Sequence, residues 1–176
     1  MTVFEMLKEG AEKGYQELMT SLEGVTEEQA WAVLPNQGPD YLHSGGSIYS
    51  VTMHVASLKW VYGSICFRNT EIRWRDAADQ IEAFEPSWTA ALDYLERGHQ
   101  YWMESWAGLA DFEEMRPTNW KSGDWPAWKI IQFCSQHDAY HAGQIAVFRY
   151  GCAPSDVRPA SEAEEIRKYC RDSIHW

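Results

Sequence analysis

Apolar residues recur at steps of three and four along most of this chain, and scarcely anywhere at steps of two. Val3 to Leu22 carries Phe4, Leu7, Ala11, Tyr15, Leu18 and Leu22 on one face, which predicts an amphipathic helix that Gly10 and Gly14 weaken slightly. Thr26-Glu-Glu-Gln29 has the form of a capping box, since the Thr26 hydroxyl can accept from a first-turn amide while Gln29 reaches back. A short helix to about Val33 should follow. Pro35 to Gly46 holds two prolines and three glycines and reads as a loop.

Ser47 suits the N-cap of a second long helix with the stripe Val51, His54, Leu58, Val61 and Ile65. Arg68 to Pro86 is polar and acidic, with a short helix expected around Ala77 to Ala83. Ser87 caps a third helix whose stripe is Trp88, Leu92, Leu95, His99, Trp102 and Trp106. After a long connection from Asp111 to Asp124, Pro126 fits the first turn of a fourth helix ending at Gly151. Its stripe is Ile130, Cys134, His137, His141, Ile145 and Phe148. Ser161-Glu-Ala-Glu164 repeats the capping logic, so Glu162 to Arg171 is expected to be a final short helix. Four long amphipathic helices with short extra ones predict an all-α four-helix bundle, and residues 1–176 read as one domain.

Composition narrows the classes. Ten tryptophans, nine tyrosines and six phenylalanines supply a large-grained core, since each buried aromatic removes about 150–250 Å² from water. Twenty-six acidic against 15 basic residues leave a net charge of −11, and no Lys/Arg cluster offsets it, which argues against nucleic-acid binding. No apolar run approaches the roughly 20 residues needed to span a bilayer, and the N-terminus lacks a signal-like stretch, so the expected location is the cytoplasm. Cys66, Cys134, Cys152 and Cys170 are far apart without a C-x-x-C pair, a pattern of reduced cysteines rather than of a disulfide scaffold.

The chemistry lies in the histidines. His137 and His141 stand four apart, on one helical face with Cβ atoms about 5–6 Å apart, a chelating spacing. Imidazole suits zinc, nickel, copper and iron(II), and a pair needs a third ligand to hold the ion firmly. His54 on the second helix is the candidate. A lone histidine on an apolar stripe is ordinarily a hydrogen-bonded core residue, but three pointing inward from two helices form a pattern that bundle cores use for metals.

The run Gln136-His-Asp-Ala-Tyr-His-Ala-Gly-Gln-Ile-Ala-Val-Phe-Arg149, preceded by the helix bearing Ser50-Val-Thr-Met-His54-Val-Ala56, resembles the DinB-like superfamily of damage-inducible proteins. Relatives include the YfiT-like proteins and bacterial low-molecular-weight-thiol S-transferases. The resemblance implies an up-down-down-up four-helix bundle, usually homodimeric, with one divalent metal ion on the positions of His54, His137 and His141 and water completing the shell. Zinc or nickel is the first expectation, iron or manganese the second. The ergothioneine-type branch carries an acid two residues after the last histidine. Gly143 stands there in this chain, followed by Gln144, which argues against that branch's chemistry.

Three neutral imidazoles leave such an ion at +2 with at least one open position, so a metal-bound water or thiolate is the expected nucleophile. Hydrolysis and thiol transfer fit the residues equally. The resemblance favours transfer of a small thiol (bacillithiol, mycothiol or glutathione in several relatives) onto a small electrophile. The absence of a general base beside the histidines keeps a third reading open, a non-enzymatic stress-response or binding protein stapled by its metal.

Other residues are candidates with competing roles. Gln144 can orient a bound water or substrate, or pair across the bundle. Asp138 and Gln136 can hydrogen-bond a ligand histidine, although adjacent helix positions diverge, so one of them should be exposed. Tyr41, His43 and Tyr49 lie at or after the loop leading to His54 and are pocket candidates. Trp120, Trp125 and Trp128 form either an aromatic lid or a plug at the bundle end. His99 reads as a core or dimer-contact residue, with an extra ligand or proton carrier as the alternative, and Cys134 as a small core residue, with a thiolate as the alternative; His175 has no assigned role.

Overall fold

The computed structural model describes residues 1–33, 46–73, 75–77, 86–118 and 123–152, the last three by backbone alone. Tyr41, His43, Trp120, Cys170, His175 and the expected helix Glu162 to Arg171 lie outside them, as does most of the expected helix Ala77 to Ala83. Its elements are helices α1 (Val3–Leu22), α2 (Glu27–Trp31), α3 (Ile48–Phe67), α4 (Trp88–Trp106) and α5 (Ala127–Cys152), with strands β1 (Met115–Arg116) and β2 (Trp125–Pro126). The fold is all-α in character.

Local chemistry sets the helix starts. The Thr26 hydroxyl accepts from the Gln29 amide at 3.2 Å while Gln29 Oε1 accepts from the Thr26 amide at 3.0 Å, the reciprocal pair that satisfies two otherwise orphaned donors. Ser47 and Ser87 each accept from the amide three residues on, at 3.1 Å. Three details differ from the sequence expectation. Helix α2 stops at Trp31, two residues short of Val33. Pro126 precedes α5, because its strand pairs with Met115 in a two-residue antiparallel ladder across the 111–124 connection, and α5 runs one residue past Gly151.

Close contacts give the helix directions. An added Cβ at Gly14 would stand 2.5 Å from the Ser135 carbonyl oxygen, and Arg149 donates to the Ser21 carbonyl at 2.9 Å, so α1 and α5 run in parallel along each other. Gly14 is thus a crossing point, where a glycine's missing side chain lets two backbones touch. Trp60 donates to the Tyr94 carbonyl at 3.3 Å and Phe67 packs edge-on against Trp102, so α3 and α4 are parallel too. Lys59 reaches Asp138 and Tyr62 reaches Phe133, which makes α3 antiparallel to α5.

The buried apolar residues fall into two clusters. One contains Leu18, Leu22, Val51, Leu95, Ile145 and Phe148; the other contains Leu7, Leu58, Val61, Trp102, Trp106, Ile130 and Cys134. Between them, at the waist of the four long helices, lie Tyr15, His99, His137, Asp138 and His141. Among the described residues no helix is long and apolar enough to cross a membrane.

Candidate metal centre

Helix α5 presents His137 and His141 from successive turns, and antiparallel α3 brings His54 to meet them. The three Nε2 atoms converge: His137 Nε2 lies 3.2 Å from that of His54 and 3.0 Å from that of His141. The three ligand atoms all fall within 4.8 Å of one another. His141 is 2 % exposed, while His54 and His137 are half-buried.

Gln144, one turn beyond His141, sets that ring's tautomer. Its Oε1 lies 2.7 Å from His141 Nδ1, and because an amide oxygen only accepts, this contact favours the tautomer with its proton on Nδ1. His141 Nε2 therefore presents a lone pair towards the other two rings.

The donor set fits a divalent ion. Nitrogens at the usual zinc distance of about 2.0–2.1 Å stand roughly 2.8–3.4 Å from one another for angles between square and tetrahedral, and both short separations lie in that range. Hydrogen bonding alone explains them poorly, because the one proton that His137 Nε2 can carry cannot serve two neighbours well. A cation among the three lone pairs satisfies all of them together.

Asp138 is placed differently from the sequence expectation. Its carboxylate turns away from the histidines and accepts from Lys59 Nζ at 2.6 Å, with the two side chains 3 % and 1 % exposed. Burial pushes the Asp138 carboxyl above the usual carboxylate range, and the Lys59 ammonium pulls it back part of the way. Gln136 is exposed. Lys59 escaped the sequence reading, although it is the lone charge in α3, just as Asp138 is the lone acid in α5. A lone cation in α3 matched by a lone acid in α5 was the available signal.

The remaining candidates sit nearby or elsewhere. Tyr49 stacks on Trp31 with ring centroids 3.9 Å apart, at the α2 end of the molecule. Phe133 lies beside the His137 ring with centroids 5.9 Å apart, and Trp125 meets Phe133 edge-on with centroids 6.1 Å apart. Trp128 donates to Glu113 at 3.1 Å. His99 stacks flat on Tyr15 at 3.6 Å with its buried Nδ1 unpartnered; burial, aided by the Lys59 charge, lowers its pKa to about 3. Burial raises the Cys66 thiol to about 12 and holds Cys134 well above the ordinary thiol value, so neither is a thiolate at neutral pH. A groove of about 670 Å³ between α1 and α5 is lined by Met6, Gly10, Trp128 and Ala139, and among the described residues no histidine borders it.

A family described as the DinB superfamily matches residues 11–145, a span that includes all three histidines. Among curated proteins none matches the chain.

Proposed function

This chain belongs to the DinB superfamily, and from that premise and the convergence of three Nε2 atoms we propose a metal-dependent enzyme that transfers a small thiol onto an electrophile. The single observation that carries the metal is the separation of 3.0 and 3.2 Å between His137 Nε2 and its two neighbours. When bound there, a divalent ion supplies a Lewis acid that favours the anionic form of a thiol or a water at neutral pH.

The chain's own residues do the rest. Gln144 holds the His141 proton on Nδ1, so that the Nε2 lone pair would serve as the ligand. Lys59 occupies the carboxylate of Asp138, the acid next to His137 in the chain, so that charge is already neutralised and a +2 charge at the histidines would favour an anionic ligand. Phe133 beside His137 gives one apolar wall, which strengthens such an interaction by thinning the water around it.

Thiol transfer is preferred to chemistry on a protein nucleophile because the cysteines whose side chains are described, Cys66 and Cys134, are buried thiols. In this reading the attacking sulfur comes from a small molecule. A second copy of the chain is the expected partner, and the exposed Tyr140 and Val147 on α5 offer an uncharged surface for it.

The test is elemental analysis of untagged protein, followed by a screen of small thiols against a chloronitrobenzene with and without chelator. Near-stoichiometric metal and chelator-sensitive conjugation are expected. Metal-dependent ester cleavage without thiol consumption would instead make the protein a hydrolase. Metal that raises thermal stability while no electrophile is consumed would make it a stapled binding protein. Protein unable to take up any divalent ion would end the proposal.

A further inference from the structure

Helices α1 and α4 each bury one apolar stripe, and burying that stripe sets how the helix is rotated. Helix α3 differs, since its buried residues between Ile48 and Cys66 point in every direction. Such a helix gains similar apolar burial in several rotations, and non-directional burial does not choose among them. His54 nevertheless meets His137 and His141 at one rotation and one height of α3 against α5.

Lys59 and Asp138 supply a directional contact between those two helices. Nζ lies 2.6 Å from Oδ2 with both side chains almost fully buried, and any other rotation strands two ions without partners inside the bundle. The neighbours complete the layer. Tyr15 of α1 lies under the ammonium, with Nζ 5.4 Å from its ring centroid, and His99 of α4 stacks on Tyr15. Each long helix thus contributes one side chain to a polar layer between the two apolar clusters, and Asp138 adjoins His137 in the chain.

We propose that the Lys59–Asp138 pair is a positioning device for the histidine site, locking α3 against α5 at the single register where His54 completes the triad. Neither residue touches the ion or a substrate. The metal readout rests on the three-histidine reading above; the structural readout does not.

Replacing both ions by apolar residues of similar size removes the directional contact while sparing the fold, because buried ion pairs exchanged for hydrophobic groups are commonly neutral or stabilising. The experiment compares wild type with Lys59→Met/Asp138→Leu, using cobalt(II) alone as the probe on untagged, chelator-stripped protein. The double variant should keep its helical circular dichroism and melting temperature, lose at least about 10-fold in cobalt affinity, and change its visible spectrum. An unchanged affinity and spectrum in a folded double variant would overturn the proposal.

Imidazole resonances of the metal-free proteins supply the second readout. Wild type should show one set for His54, His137 and His141, and the double variant several. If wild type binds no cobalt, the metal reading fails, and these resonances still decide the positioning role: a single unchanged set in the double variant refutes it. Should the double variant not fold, Lys59→Arg and Lys59→Met decide. Arginine should hold cobalt affinity within about threefold while methionine loses it, and equal behaviour of the two overturns the proposal.

Discussion

Gln144 Oε1 sits 2.7 Å from His141 Nδ1, and this one contact determines which nitrogen of the innermost histidine faces the other two. Without it, the neutral ring is free to protonate Nε2 and turn a donor, rather than a lone pair, towards His137. Gln144→Leu should therefore weaken zinc binding by roughly 10- to 100-fold with little change in helical content. Gln144→Glu, whose carboxylate also accepts from Nδ1, should retain binding. Competition titration with a chromophoric chelator measures both, and equal losses in the two variants would contradict the tautomer role.

Removing a ligand should do more than removing its orienter. His137 Nε2 stands between the other two donors, so His137→Ala should cost affinity beyond the roughly 100-fold upper figure for an outer partner, and purified protein should carry no stoichiometric metal. Elemental analysis reads the result directly.

Two glycines on α1 should respond in opposite ways to the same substitution. At Gly14 an alanine Cβ would meet the Ser135 carbonyl oxygen at 2.5 Å, and that oxygen belongs to the backbone of α5. Gly14→Ala should destabilise by about 1–3 kcal/mol as the two helices are forced apart. Nothing lies within 4 Å of the corresponding position at Gly10, where alanine should stabilise by about 0.5–1 kcal/mol through helix propensity. Urea denaturation of the two variants separates packing from propensity.

His99 makes stability depend on pH in a definite direction. Its folded-state pKa, about 3, lies below the 6.5 of an unperturbed histidine, so between those values the unfolded chain binds the extra proton. Stability is fully present above about pH 6.5 and declines as the pH falls towards 3. The loss from this group is at most about 2 kcal/mol by pH 5. His99→Phe keeps a ring against Tyr15 and should flatten the profile between pH 6.5 and 5. Melting temperatures that fall in parallel for both proteins would show that other groups control the acid limb.

Much of the fold was legible because it depends on neighbours in the chain. The stripe Ile130, Cys134, His137, His141, Ile145, Phe148 has the helical period, and the hydroxyls of Thr26, Ser47 and Ser87 cap the helices that follow them. The short hairpin joining Met115 to Pro126 was not legible, since two residues per strand are too few to show alternation.

The candidate site divides along the same line. A four-residue spacing on one helix places His137 beside His141 whatever the rest of the chain does, so the sequence by itself determined that pair. Three matters were decided only when the helices packed: the arrival of His54 from α3, the capture of Asp138 by Lys59, and the use of Gly14 as a crossing point. Each depends on how one helix is rotated and set against another. Periodicity describes a helix face, but long-range contacts choose the partner that the face will meet.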